Sequence, residues 1–395
     1  FCAVTTDQAA VFVDGRYTLQ AADQVDTTAF EIRNIPSDKL VDWLNITLPQ
    51  DAKFAYDPWL HTAAQITSMQ DKKRSDLTLI EVPNLIDDIW HDQPNQPLDL
   101  MVPHAIEFAG QTHGDKLAQI CADLRASNHA FTVLTQPDSI AWLLNTRGTD
   151  LGQTPVALCF AIVSVDETVT LFIAPDKVDD ELRTHLGKNI TIQDITSLNE
   201  GLENLTGTVR IDQKTAPIAV QNILAQQNIT VVAGDDPTVI PKACKNPTEL
   251  AGTTAAHVRD GAAMVEFLSY VSNLGDTPNI SEIELVKHLE KCRRDTGKLR
   301  NISFDTICGS GPNGAIVHYR VNTDTDRAVQ SGDVLLVDSG GQYMDGTTDI
   351  TRTIAIGNVS TTAMRANTLV LKGMIAISCL RFPVGLAGRD IDAIA

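Results

Sequence analysis

The 395 residues allow roughly two to four compact domains of about 100 to 200 residues each, and a content of 43% hydrophobic and 21% charged residues is that of a folded globular chain, not a disordered or low-complexity one. With 50 acidic against 31 basic side chains, the net charge is −19, a field that repels phosphate backbones and anionic lipid surfaces but accepts metal cations and neutral or cationic substrates. Nucleic-acid binding is therefore not expected, and no apolar run approaches the roughly 20 residues of a membrane span.

The chain opens on Phe1 in a strand-like run, FCAVTTDQAAVFVDG, with no initiator Met, so the expectation is that the natural N-terminus lies upstream. Short apolar strands follow at Ala9 to Val13 and Lys53 to Asp57, with an amphipathic helix around His113 to Arg125; together they read as an α/β domain over 1–125. From Asn128 the pattern restarts with AFTVL, then Asp138 to Leu144, CFAIVSV at Cys159 to Val165 and TVTLFIA at Thr168 to Ala174, a second α/β domain over 126–243. Pro237, Pro241 and Pro247 then punctuate the approach to a long helical pattern from Thr248 to Leu274, which opens a third region, 244–395. Strands are expected there at Ala315 to Arg320, Val334 to Asp338 and Asp349 to Ile356, then a helix from Thr362 to Leu380 and the start of another at Asp390 to Ala395. No fixed-period repeat is present. The seven cysteines are odd in number and show no C-x-x-C spacing, which fits reduced thiols and a cytoplasmic protein better than a disulfide framework or a thiolate zinc site.

Two segments carry candidate chemistry. In GSGPNG, Gly309, Gly311 and Gly314 satisfy G-x-G-x-x-G, but Pro312 sits inside the motif and a strand-like run follows it, so a glycine-rich turn is expected and not a dinucleotide site. In VLLVDSGGQYMDGTTDITRT an apolar strand ends at Asp338 and a second strand carries Asp349. A loop centred between Tyr343 and Met344 makes the two carboxylates cross-strand neighbours, whose Cβ atoms lie about 4.5 to 5.5 Å apart. Carboxylates that close repel unless a proton or cation lies between them, so the pair is either a ligand set for hard divalent metal or two solvated turn residues. His318, in IVHYR, reads either as a packed strand histidine or as a catalytic one. Ser339 and Cys308 lie in no nucleophile frame and read as structural.

The runs KNPTELAGTTAAHVRDGAAMVEFL, SFDTICGSGPNGAIVHYR and DVLLVDSGGQYMDGTTDITRTIAIG resemble the metal-dependent Xaa-Pro aminopeptidases (aminopeptidase P) of the creatinase, prolidase and methionine aminopeptidase superfamily. Upstream, VFVDGRYTLQAADQVD and DSIAWLLNTRGTDLGQTPVALCFAIV resemble the two creatinase-type N-terminal domains of the three-domain members. The resemblance covers nearly the whole chain and implies two creatinase-like α/β domains followed by the first half of a pita-bread metallopeptidase domain. It implies two divalent metal ions, usually Mn2+, and removal of the N-terminal residue from peptides with proline at position two, in a homodimeric parent protein. Asp338 resembles the first metal ligand and Asp349 the second, bridging one; His318 resembles the histidine that contacts substrate near the scissile bond. Arg16, in DGRY, resembles an arginine that reaches toward the active site, or else is a surface ion-pair arginine. The family's five ligands run Asp, Asp, His, Glu, Glu, whereas the last histidine here is His318 and the last glutamate Glu290. The expectation is thus a fragment cut at both ends and inactive by itself. A proline dipeptidase, a creatinase-type hydrolase and a catalytically silent binding protein share the architecture.

Overall fold

The computed structural model describes residues 1–275 and 278–395, which cluster into two compact units. The first comprises residues 1–255 with 344–346, and the second residues 256–343 with 347–395.

In the first unit, β1 (Cys2–Val4), β2 (Ala9–Asp14) and β3 (Glu31–Ile35) form one sheet, with β2 antiparallel to β1 and parallel to β3. Alternation along β2 turns Ala10 and Phe12 inward against Trp43 and Leu44 of the helix Leu40–Thr47. Strands β4 (Lys53–Tyr56) and β5 (Thr78–Glu81) pair in parallel, and β6 (Val102–Pro103) pairs with β8 (Thr146–Arg147). The larger sheet is six-stranded, built from β7 (Phe131–Leu134), β9 (Phe160–Ser164), β10 (Thr168–Phe172), β11 (Ile190–Gln193), β12 (Thr208–Ile211) and β13 (Thr230–Ala233) in the order β11-β10-β9-β7-β12-β13. Both of its faces are covered, as its short uninterrupted apolar runs require. Leu134, Ala161, Val163 and Leu171 pack into one core while Val133, Ile162, Phe172 and Val209 pack into the other. The helix His113–Ala126, read from sequence as closing the first domain, instead packs Leu117, Ile120, Cys121 and Leu124 into the first of these two cores. Its apolar stripe is satisfied by this sheet, and the sequence pattern gives the stripe no address.

The second unit opens on the long helix Pro247–Ser272, whose start lies in the first unit. Asn246 and Glu249 cap it reciprocally, each side chain accepting from the other's backbone N–H at 3.0 and 2.8 Å. Its buried stripe is Ala256, Asp260, Ala263, Met264, Phe267 and Val271, so a carboxylate stands in an otherwise apolar row. The helix Glu282–Asp295 starts at a Ser281–Glu284 capping box and buries Leu285, Leu289 and Arg293. Strands β14 (Asn301–Ile302), β15 (Ile307–Ser310), β16 (Val334–Ser339), β17 (Gly341–Gln342) and β18 (Ile350–Ala355) form a β14-β17 pair and a β15-β16-β18 antiparallel sheet. Leu335 and Val337 face the core and Asp338 the opposite side.

Three expectations are corrected here. The strand expected at Ala315 to Arg320 is absent: Gly311–Ala315 is a 3-10 turn, and His318 follows in a left-handed conformation with φ 57°. The cause is Glu282, fully buried, whose carboxylate accepts from the Ser310 N–H (2.6 Å), Asn313 Nδ2 (3.0 Å) and the Tyr319 hydroxyl (3.1 Å), winding the segment around one anion. Asp338 lies opposite Thr351, not Asp349, because residues 343–346 make a four-residue loop closed by the Gln342–Thr347 bridge. Asp349 precedes β18 by one residue and is not inside it. All seven cysteines are free, and no helix of the described residues is long and apolar enough to cross a membrane.

Candidate metal centre

The register slip is one of two residues, and side chains alternate with period two, so it leaves Asp338 and Asp349 on one face of the hairpin as diagonal neighbours. Asp338 sits on the central strand between Ile307 and Thr351 and accepts from the Thr351 hydroxyl at 2.7 Å. Asp349 is held above the ordinary carboxylate range by burial, by the Asp338 charge and by a hydrogen bond with Asp338. The last two causes place the carboxyls against each other: they can share one proton, and with both ionised they repel. A hard divalent cation between them removes that repulsion, and oxygen donors from two carboxylates suit it, so the donor set fits a metal edge. Among the described residues no group of three or more His, Cys, Asp or Glu is arranged to hold a metal, so the two carboxylates are a partial ligand set.

The hairpin is fixed by close packing as well as by pairing. A Cβ on Gly340 would meet the Thr348 carbonyl oxygen at 1.9 Å and Ser303 Oγ at 2.3 Å, which makes glycine the residue this crossing requires. Ser303 Oγ donates to that same carbonyl at 3.0 Å, and the Thr348 and Gly341 backbones join at 2.9 Å.

His318 stands in the same unit, half-buried, on the turn after the 3-10 segment. Arg16 lies in the other unit, on the turn Gly15–Tyr17, where its Nε meets Asp14 Oδ1 at 2.7 Å with the side chain 55% exposed. The structure thus brings Asp338 and Asp349 together and places His318 and Arg16 on separate turns. Ser339 and Cys308 are buried strand residues, and burial pushes the Cys308 thiol far up, which suits neither to nucleophilic attack.

Sequence reasoning missed Asp260, Arg293 and Tyr343. Asp260, 1% exposed, accepts from Arg293 Nε and Nη2 at 2.8 and 3.0 Å and from the Tyr343 hydroxyl at 2.7 Å. The signal was available, since Asp260 and Arg293 are charges on helical positions that otherwise bury apolar side chains.

Residues 1–89 and 92–249 match two Creatinase/Prolidase N-terminal domain families, and residues 251–395 match metallopeptidase family M24. The fold and site therefore define a mixed α/β metallopeptidase-family chain with two creatinase-type N-terminal domains. A probable Xaa-Pro aminopeptidase P of Laccaria bicolor is 35% identical over 411 residues, covering 100% of this chain and 63% of that protein. A probable Xaa-Pro aminopeptidase P of Coccidioides posadasii is 34% identical, with 100% and 67% covered. The crystal structure of X-prolyl aminopeptidase from Caenorhabditis elegans, described as a cytosolic enzyme with a di-nuclear active site, superposes with a TM-score of 0.92 at 30% identity, over 99% of this chain and 66% of that one. The chain belongs to the Xaa-Pro aminopeptidase P family, and it spans about 63% of the length of the Laccaria relative.

Proposed function

We propose that the full-length protein is a metal-dependent aminopeptidase that releases the N-terminal residue from peptides with proline at position two. The observation that carries this reading is the Asp338–Asp349 pair on one face of the hairpin, in a chain whose relatives are named for that activity. Asp338 and Asp349 would hold two divalent cations, proposed as Mn2+, with further ligands from the part of the relatives' length that this chain does not span. Bound there, the cations would polarise the scissile carbonyl and acidify the attacking water.

The chain's own residues do the rest. The Thr351 hydroxyl fixes the rotamer of Asp338, and Gly340 lets the strands cross closely enough for Asp349 to reach it. His318, on the turn that Tyr319 anchors on Glu282, contacts substrate near the scissile bond. Arg16, in DGRY, is proposed as a substrate contact on the family resemblance alone. The domains are two creatinase-like units and a peptidase region that starts near residue 244; the packing of His113–Ala126 favours a boundary between the first two before that helix. A cytoplasmic homodimer completes the reading, in keeping with the cytosolic relative.

The test is hydrolysis by the full-length protein of a tripeptide with proline second, the same tripeptide with alanine second, and an Xaa-Pro dipeptide, with and without Mn2+. The proposal expects manganese-dependent release only from the two proline substrates, with the tripeptide cleaved. Cleavage of the dipeptide alone identifies a proline dipeptidase, and cleavage of none identifies a silent relative.

A further inference from the structure

Asp260 is a buried anion on the apolar face of the helix Pro247–Ser272, and burial alone would raise its carboxyl. Three hydrogen bonds converge on it from two side chains: Arg293 supplies a bidentate pair and the Tyr343 hydroxyl the third. They and the Arg293 charge outweigh burial and leave the carboxyl below its ordinary range.

The position of the hydroxyl donor matters more than the number of bonds. Tyr343 is the first residue of the loop 343–346, and Thr348 is the second residue beyond it, directly before Asp349. Thr348 Oγ accepts from the Gly341 N–H at 2.9 Å and the Thr348 N–H donates to the Gly341 carbonyl at 2.9 Å, so Thr348 is tied to the limb that carries Tyr343. Arg259 lies over the Tyr343 ring, 5.0 Å from its centroid, and holds that ring from its face. The limb that carries Tyr343 is therefore tied directly to one carboxylate and the other limb to it through Thr348, and that carboxylate is held by Arg293 from the helix Glu282–Asp295.

We propose that Asp260 is a positioning residue: its carboxylate clamps the hairpin at Tyr343, the Gly341–Thr348 bonds carry that hold to the other limb, and together they fix the register that sets Asp338 beside Asp349. The inference rests on the metal reading of those two aspartates only for its functional consequence. Its structural content stands apart, because a two-residue slip leaves both aspartates on one face but changes their separation, and a one-residue slip puts them on opposite faces. Pairing alone does not forbid a slip in a short hairpin with Gly340 and Gly341 in one limb; Tyr343 anchored on Asp260 and Thr348 bonded to Gly341 through its side chain do.

The experiment uses this chain and two conservative variants, Tyr343→Phe and Thr348→Val, which each remove a hydroxyl and keep the volume. A third, Leu289→Val, trims a fully buried core position on the neighbouring helix as a control for general loosening. Amide hydrogen exchange is read over residues 335–353, and Mn2+ binding by paramagnetic broadening. The clamp predicts exchange in the hairpin faster by roughly ten- to a hundred-fold in Tyr343→Phe, the equilibrium equivalent of a lost hydrogen bond to a charged group, and by roughly three- to ten-fold in Thr348→Val, which loses a neutral one, with weaker Mn2+ binding in both. Leu289→Val at matched overall stability should change neither. Unchanged hairpin exchange in both hydroxyl variants, or equal loosening in Leu289→Val, overturns the proposal. Asp349→Asn separates the two readings: if it binds Mn2+ as the parent does, the metal reading fails and the clamp is judged by exchange alone. If it loses Mn2+ while the hydroxyl variants keep it, the clamp is refuted and the metal reading stands.

Discussion

Substituting Gly340 by alanine puts a methyl group 1.9 Å from the Thr348 carbonyl oxygen and 2.3 Å from Ser303 Oγ, far inside contact distance. The strands must separate, and overpacking of this kind costs about 1 to 3 kcal/mol. Separation also strains the Ser303–Thr348 and Thr348–Gly341 hydrogen bonds, at 3.0 and 2.9 Å, worth about 1 kcal/mol each. The expected loss is therefore roughly 3 to 5 kcal/mol, a large part of the about 5 to 15 kcal/mol that holds a domain folded. With a urea slope of about 2 kcal/mol/M, the midpoint of the second unit should fall by roughly 1.5 to 2.5 M. All four tryptophans, at 43, 59, 90 and 142, lie in the first unit, so their fluorescence reports that unit while hydrogen exchange of residues 335–353 in urea reports the hairpin. The exchange-detected transition should move and the tryptophan transition should stay. A hairpin transition within about 0.3 M of the parent's, less than roughly 0.6 kcal/mol on that slope, would refute the close-crossing argument.

Asp338→Asn removes the charge that raises Asp349, so in metal-free buffer at neutral pH it should raise the melting temperature slightly by calorimetry; a fall would mean that the two carboxylates are not in repulsive contact. Asp260 titrates below its ordinary range in the folded chain, so its contribution is complete above about pH 4 and is lost as pH falls through the depressed folded value; acid denaturation of the second unit should be flatter in Asp260→Asn than in the parent. His318→Ala in the full-length protein should lower kcat/KM by roughly ten- to ten-thousand-fold and leave bound metal unchanged, whereas loss of metal would make His318 a ligand.

Most elements of the third region were legible because their patterns are local. The β16 alternation, the 3.6-residue stripe of the long helix and the Pro-marked approach to Pro247 each need only a few consecutive residues to read. Failures came where a distant partner decides. Ala315 to Arg320 carries strand-forming residues, yet buried Glu282, more than thirty positions earlier, winds them into a turn and leaves His318 left-handed. The helix His113–Ala126 was legible as a helix but not as a part of the second sheet, since an apolar stripe does not name the surface it will cover. The aspartate pair was legible in kind and displaced in register, because loop length rests on how Thr348 and Gly341 bond. Asp260 went unread as a site, although an acid in an apolar helical row is a signal that needs no alignment.

Whether Asp338 and Asp349 hold metal is decided by elemental analysis of the full-length protein, parent against Asp349→Asn. About two manganese ions per chain are expected in the parent after Mn2+ loading and removal of free metal, with a loss of at least one in the variant, because an amide cannot replace an anionic ligand between two cations. The same manganese content in a folded Asp349→Asn protein would contradict it.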